Sequence, residues 1–342
     1  MLSFGSRMEV KMSRKSSKPE GFLFDEINHA MLRPTSLGQD ELYAIHEGSL
    51  EILAQVGIQV KSEKARDIFT AAGATAKDEI VKIPSYIVED CIKSAPSVVL
   101  LAGRNRKNDY VIKQDKVAFI NFGEGVNVID PYTREYRMST KEDLGRNTRV
   151  ADAIDVLPVA YRSVASQDKH GFVQSLHNAE IMFQNTSKHI FIGPAGEANA
   201  LKIIDMAAEI VGGKNELKQR PIITFNVCPT SPLQLSPPAS DVIIEGAKAG
   251  IPSNIISMAL AGATAPITLA GALVTHNAEV LSAVVLSQLV ERGAPVFYGS
   301  STSTMDFRHM TTPVGSPELA MINNAVAQLS RYYLLPSFVA GG

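Results

Sequence analysis

Cysteine is nearly absent from this 342-residue chain, where Cys91 and Cys228 are the only two. Two thiols cannot build a disulfide framework or a cysteine-only zinc site, so a reducing cytoplasm is the expected compartment. An excess of either charge is missing as well. Lys and Arg total 33 against 35 Asp and Glu, a net charge of −2, which argues against a general electrostatic binder of nucleic acid. No phosphate-binding loop is present, and GEGVNV at Gly123 to Val128 lacks the third glycine of a dinucleotide fingerprint. The N-terminal MLSFGSRMEVKMSRKSSKPE is basic and has no apolar run long enough for a signal peptide; residues 1–20 read as a disordered lead-in. From Ala249 to Ala278 there is no Asp, Glu, Lys or Arg. Pro252, Pro266, His276 and Asn277 interrupt that run and no aromatic belt flanks it, so it reads as buried core and no membrane partner is expected.

What is present is core material. Apolar residues make up 45 % of the chain and charged residues 20 %, which excludes global disorder. Residues 21–150 read as an α+β region. Asp40 to Val56 carries Leu42, Ile45, Leu50 and Leu53 near helical spacing, and Ser62 to Ala72 continues with helix formers. From Val81 the pattern turns to short β-rich runs: SVVLLAG, DYVIK, KVAFINFGEG and NVIDPYTREYRM, the last a hairpin turning at Asp130-Pro131. Residues 151–342 are regular. Six β-rich runs centre on Ala160, Phe191, Ile223, Ile256, Phe297 and Phe338, at intervals of 31, 32, 33, 41 and 41 residues, the length of a strand-helix-strand unit. Helical patterns fill the gaps, among them Glu197 to Val211 and a helix capped by Ser316 with Pro317 at its first position. This alternation without a dinucleotide fingerprint predicts an α/β fold of the (β/α)8 TIM-barrel type with its C-terminal units missing.

The chemistry of such a barrel sits at the C-terminal strand ends. Here they read Ser163-Val164-Ala165-Ser166, Gly193-Pro194-Ala195-Gly196, Cys228-Pro229-Thr230-Ser231-Pro232, Ser257-Met258-Ala259 and Gly299-Ser300-Ser301-Thr302, with almost no ionisable group. No Lys offers a Schiff base and no His, Cys and Asp cluster offers three metal ligands, so no metal is expected. Cys228 reads as a small buried residue. Asp306 and Arg308 are either a surface ion pair or orient a substrate, and Glu124 is either an exposed turn or an inward carboxylate. Tyr161, Phe225, Tyr298 and Phe338 lie near strand ends, as core aromatics or facing an organic cation. By strand-end position, Glu124, Asn226, Ser231, Tyr298, Asp306 and Arg308 are the candidates for binding or orienting a substrate. Asp168-Lys169-His170 begins like the D-x-H-x-x-G signature of corrinoid-binding domains, but Val173 stands at the glycine position. His276 reads as a packing histidine.

GPAGEANALKIIDMAAEIVGG, PTSPLQL, GATAPITLAGALVTHNAEVLSAVVLSQL and GSPELAMINNAVAQLSRYYLLPSFVAGG, in that order, resemble the trimethylamine:corrinoid methyltransferase (MttB) family. The likeness covers roughly Gly21 to Gly342 and is strongest after His189. It implies a TIM barrel that moves a methyl group from trimethylamine to the Co(I) of a corrinoid carried by a separate partner protein, leaving dimethylamine. No cofactor would be bound by the chain directly, and a homo-oligomer is the expected assembly. In members acting on trimethylamine, the segment resembling PSFVAGG is followed by pyrrolysine, encoded by an in-frame UAG codon. The reactive residue is therefore expected immediately after Gly342, approached through Gly341 and Gly342, with the last two strand-helix units beyond it. The 342-residue chain alone is expected to be inactive, and insoluble or unstable. Homologues without pyrrolysine, acting on glycine betaine or another quaternary amine, are the alternative within the same superfamily. A non-catalytic fragment is the alternative outside it.

Overall fold

A computed structural model of the chain describes residues 36–113 and 116–340. The basic lead-in expected over 1–20 lies outside them. Helices form where apolar spacing and capping residues coincide. α1 (Gln39–Glu51) buries Leu42, Ile45 and Leu50, continues as a π turn over Ile52–Val56 and stops at Gly57, whose φ of +85° suits glycine. β1 (Ile58–Val60) leads to α2 (Glu63–Ala71), capped by Ser62 accepting from the Ala65 amide, and then to β2 (Thr75–Lys77) and β3 (Ile80–Lys82). Inside the stretch read as β-rich from Val81 lies a helix that reading did not anticipate, α3 (Ser85–Ser94). Ile87, Val88 and Cys91 recur on one face and are buried, so tertiary burial outweighs the strand preference of β-branched side chains.

β4 (Val99–Leu101) and β5 (Tyr110–Ile112) pair antiparallel, as do β6 (Asn127–Ile129) and β7 (Tyr136–Met138) around the expected Asp130-Pro131 turn. KVAFINFGEG, expected as a strand, has no regular strand. Its end runs beside the first barrel strand instead: Glu124 and Gly125 donate their amides to the carbonyls of Arg162 and Ser163, and Gly125 bridges Val164. α4 (Lys141–Ala153) follows, with a capping box between Thr140 and Asp143. The boundary expected between 150 and 151 falls within this helix, and the described residues belong to one compact unit.

The regular half alternates strand and helix: β8 (Val159–Tyr161), α5 (Gly171–Asn185), β9 (His189–Ile192), α6 (Glu197–Val211), α7 (Lys214–Gln219), β10 (Ile223–Val227), β11 (Gln234–Leu235) and α8 (Pro237–Ala249). β12 (Ser253–Ser257), β13 (Leu260–Ala261), α9 (Leu269–Val290), β14 (Val296–Ser300), β15 (Ser303–Thr304), α10 (Pro317–Tyr332) and β16 (Ser337–Val339) complete it. The six expected runs are six strands of one all-parallel sheet in the order β16-β14-β12-β10-β9-β8. Each strand lies beside its predecessor, and the order never reverses. That is the winding of a (β/α) barrel and not of a doubly wound sheet. β8 and β16 are its two edges, so the architecture is a partial barrel.

The sheet has two different faces. Ile190, Ile192, Ile223, Phe225, Ile255 and Tyr298 point to the helix layer and join the main core. Val159, Tyr161, Phe191 and Phe297 point the other way and form a separate, largely aromatic cluster with Val99 and Leu101 of β4. β4 closes the bottom of this lumen, since the Ala102 amide donates to the carbonyl of Pro221, just before β10. α9 is long and apolar enough to cross a membrane, but 78 % of its most apolar window is buried against the rest of the chain. The uncharged run from Ala249 to Ala278 is core around its strand, over residues 250–257, and in its helical end, residues 272–278, whereas residues 262–271 between them are half-buried or exposed, contrary to the reading of the whole run as core.

Candidate active site

The lumen is built from the inward positions of the parallel strands. In register, Phe191 lies opposite Thr224, Asn226 opposite Asn254, and Asn254 opposite Phe297. At its base His189 is fully enclosed, with Nδ1 3.1 Å from the Ala102 carbonyl and Nε2 2.8 Å from Thr224 Oγ1. Burial pushes the pKa of that ring down to about 3, so the base of the lumen is neutral. Above it Tyr161 stacks on Phe338, with ring centroids 5.9 Å apart at 20°, and Phe191 meets Phe297 edge-on at 5.8 Å. Asn254 donates from Nδ2 to Asn226 Oδ1 at 3.0 Å, and Asn226 Nδ2 and Asn254 Oδ1 are buried without a partner. A cavity of about 260 Å³ between the edges β8 and β16 is lined by Val159, Phe191, Phe297 and Phe338 together with Lys113, Lys116 and Arg331, and the amide pair lies outside that lining.

Charge is present around this site beyond the few charged residues that the strand-end reading named. Arg162, directly after β8, has a side chain only 12 % exposed and pairs with Glu124. Burial holds its guanidinium pKa down at about 10. Glu279, the first charged residue after the uncharged run, is fully buried on α9. Its carboxylate accepts from Ser257 Oγ at 2.6 Å, Ser231 Oγ at 2.8 Å and the Leu233 amide at 2.9 Å, and burial raises its pKa against these bonds. Neither residue was singled out from sequence. Arg162 was hidden by its small neutral neighbours, and Glu279 lies 48 residues from Ser231, on an element that carries no strand-end signal.

The sequence candidates therefore separate. Asn226 faces the lumen. Ser231 does not offer its hydroxyl there, because Glu279 takes it. Tyr298 is fully buried behind the sheet; its hydroxyl donates to Asn277 Oδ1 at 2.6 Å and its ring meets His276 edge-on at 5.3 Å. Strand alternation gives the reason, since Phe297 and Gly299 take the inward positions of β14. Glu124 is exposed, at φ +72°, and turned to Arg162. Asp306 and Arg308 do not form the expected ion pair. Asp306 accepts from the backbone amides of Arg308 and His309 and bonds His309 Nδ1 at 2.7 Å, in an exposed loop. Gly341 and Gly342 lie outside the described residues. Cys228, expected to be buried, is an exposed free thiol at the end of β10. His170 is spent on capping α5: its Nδ1 accepts from the Phe172 amide, and its ring stacks on Phe172 at 5.6 Å. Among the described residues no three His, Cys, Asp or Glu side chains gather as a metal site.

A family model described as trimethylamine methyltransferase (MTTB) matches residues 5–342. Trimethylamine methyltransferase MttB of Desulfitobacterium hafniense (strain DSM 10664 / DCB-2) is 57 % identical over 305 residues, covering 89 % of this chain and 62 % of the relative. MttB of Methanosarcina thermophila is 44 % identical over 314 residues, covering 88 % and 64 %. Glycine betaine methyltransferase of D. hafniense (strain Y51) is 32 % identical over 308 residues, covering 90 % and 64 %. The chain thus spans about three-fifths of the length of the curated relatives it matches. Among solved structures, the Methanosarcina barkeri monomethylamine methyltransferase (MtmB) superposes with a TM-score of 0.61 at 14 % identity, covering 90 % of this chain and 62 % of that one. That likeness bears on the fold alone. With the match running from residue 5 to residue 342, the chain belongs to the trimethylamine methyltransferase (MTTB) family.

Proposed function

We propose that this chain forms the larger part of a methyltransferase that takes a methyl group from trimethylamine and passes it to the Co(I) of a corrinoid held by a separate protein, leaving dimethylamine. The family match over residues 5–342 carries this reading. The lumen supports it from chemistry. The ring faces of Tyr161, Phe191, Phe297 and Phe338 offer apolar walls against which a small methylated amine can be oriented. The electrophile that activates the amine is the pyrrolysine that the resemblance puts after Gly342, and the methyl acceptor belongs to the partner. Engagement of His170 as a helix cap agrees with a corrinoid carried elsewhere.

The relative acting on glycine betaine supports a second reading, in which a quaternary amine is the methyl donor. One experiment separates the two. The gene, read through the codon after Gly342, is expressed, and methyl-Co(III) formation on the reduced corrinoid protein is followed by absorbance. Turnover with trimethylamine, and not with glycine betaine, is the expected result. Turnover with glycine betaine alone, or with neither amine, overturns the first reading.

A further inference from the structure

We propose that Glu279 is a positioning residue for the mouth of the barrel, fixing the Cys228–Leu233 connection over the lumen through Ser231, Leu233 and Ser257. The inference rests on the reading that the amine occupies this lumen. Glu279 sits in the middle of the most deeply buried helix, where an apolar side chain would fill the same space without a desolvation cost. Among the described residues no cation pairs with it, and its partners are three neutral donors from two different strand ends. One oxygen takes the Leu233 amide, and the other takes both serine hydroxyls. Leu233 is held at φ +54°, a left-handed conformation that a leucine keeps only when its surroundings impose it. Both of its backbone groups are committed: the amide to Glu279, the carbonyl to the amide of Gln59 in β1 at 2.9 Å. The connection is therefore pinned between α9 and β1.

What this fixes is the wall above Asn226. Cys228 stands two residues after Asn226, on the same side of the extended backbone, and is exposed at the mouth. Releasing the connection would move Cys228 and Thr230 relative to the lumen amides. The carboxylate itself faces the helix layer and touches no reacting atom, so its effect on chemistry passes through the loop.

The test compares Glu279→Ala, Glu279→Gln and the double variant Ser231→Ala/Ser257→Ala by hydrogen exchange of the 228–235 peptide. Glu279→Ala is expected to speed exchange there by about tenfold while β14 and α10 keep their protection. Glu279→Gln restores protection, because its carboxamide can accept from Leu233 and donate to both serines. In methyl transfer, Glu279→Ala lowers kcat by about tenfold with KM for the corrinoid protein near its wild-type value, and Glu279→Gln recovers it. If Glu279→Ala does not fold, the double serine variant decides, with exchange expected to rise about threefold. Unchanged exchange in a folded variant overturns the clamp. Faster exchange with unchanged kcat overturns its positioning role. A wild-type protein that transfers no methyl group overturns the proposed function instead, and the exchange data then decide the clamp alone.

Discussion

Asn254 Nδ2 donates to Asn226 Oδ1 at 3.0 Å across the β10–β12 pair, and the other polar atom of each amide is buried without a partner. A half-satisfied amide pair is a poor way to fill a barrel interior and a good way to hold a ligand. Replacing both residues by leucine removes the two orphans while roughly keeping shape. The double variant Asn226→Leu/Asn254→Leu is expected to match wild-type stability in urea or exceed it by about 1 kcal/mol. Amine-dependent methyl transfer should fall by about tenfold or more. A stability loss with unchanged transfer would make the pair structural.

Tyr298 makes the opposite prediction. Its hydroxyl satisfies Asn277, whose Nδ2 in turn donates to Tyr333 at 2.8 Å and to Ser49 at 2.9 Å, all of it behind the sheet. Tyr298→Phe leaves the Asn277 oxygen buried and unpaired, at a cost of about 1–3 kcal/mol in urea unfolding. Transfer kinetics at a temperature where the variant remains folded should equal wild type. A selective loss of turnover would return Tyr298 to the site.

The contrast between these residues shows what a sequence can carry. Six strand positions and the helices at 197–211 and 317–332 were legible because spacing and caps are local signals. The inward or outward phase of Tyr298 was not. In a parallel sheet covered on both sides the strand is apolar throughout, and alternation has no polar face to mark. Only the register with β12 and β16 assigns it. Asn226 was found by its position at a strand end, whereas Glu279 was missed because its partners come together only in the fold.

Gly299 offers a test of how tightly the lumen is built. It faces inward beside Asn254, and a Cβ there would lie 2.5 Å from the Ile255 carbonyl oxygen and 2.8 Å from Asn254 Oδ1. The backbone of β12 cannot yield without displacing the amide pair. Gly299→Ala should therefore destabilise the protein by about 1–3 kcal/mol and weaken amine use together. Retained stability with normal kinetics would show more slack in β12 than this packing allows.

Acid sensitivity follows from two enclosed histidines. His189 is bonded at both ring nitrogens, while His276 bonds Thr302 Oγ1 through Nδ1 at 3.0 Å and leaves Nε2 buried without a partner. Burial holds both pKa values down to about 3, against about 6.5 in an unfolded chain. Below that unfolded value the unfolded state binds protons that the folded state refuses. Stability should therefore be level above about pH 7 and fall as the pH drops from about 6.5 toward 3, by up to about 1.4 kcal/mol per unit for each ring. His46, whose pKa burial also lowers, adds in the same direction. By pH 5 the two enclosed rings should each have cost about 2 kcal/mol, before most carboxylates begin to protonate. Urea unfolding at pH 7, 6 and 5 measures this slope, and His276→Asn should shed roughly one ring's share of it. A flat profile across that range would mean that both rings take up protons in the folded protein as readily as in the unfolded chain, and would overturn the lowered pKa values.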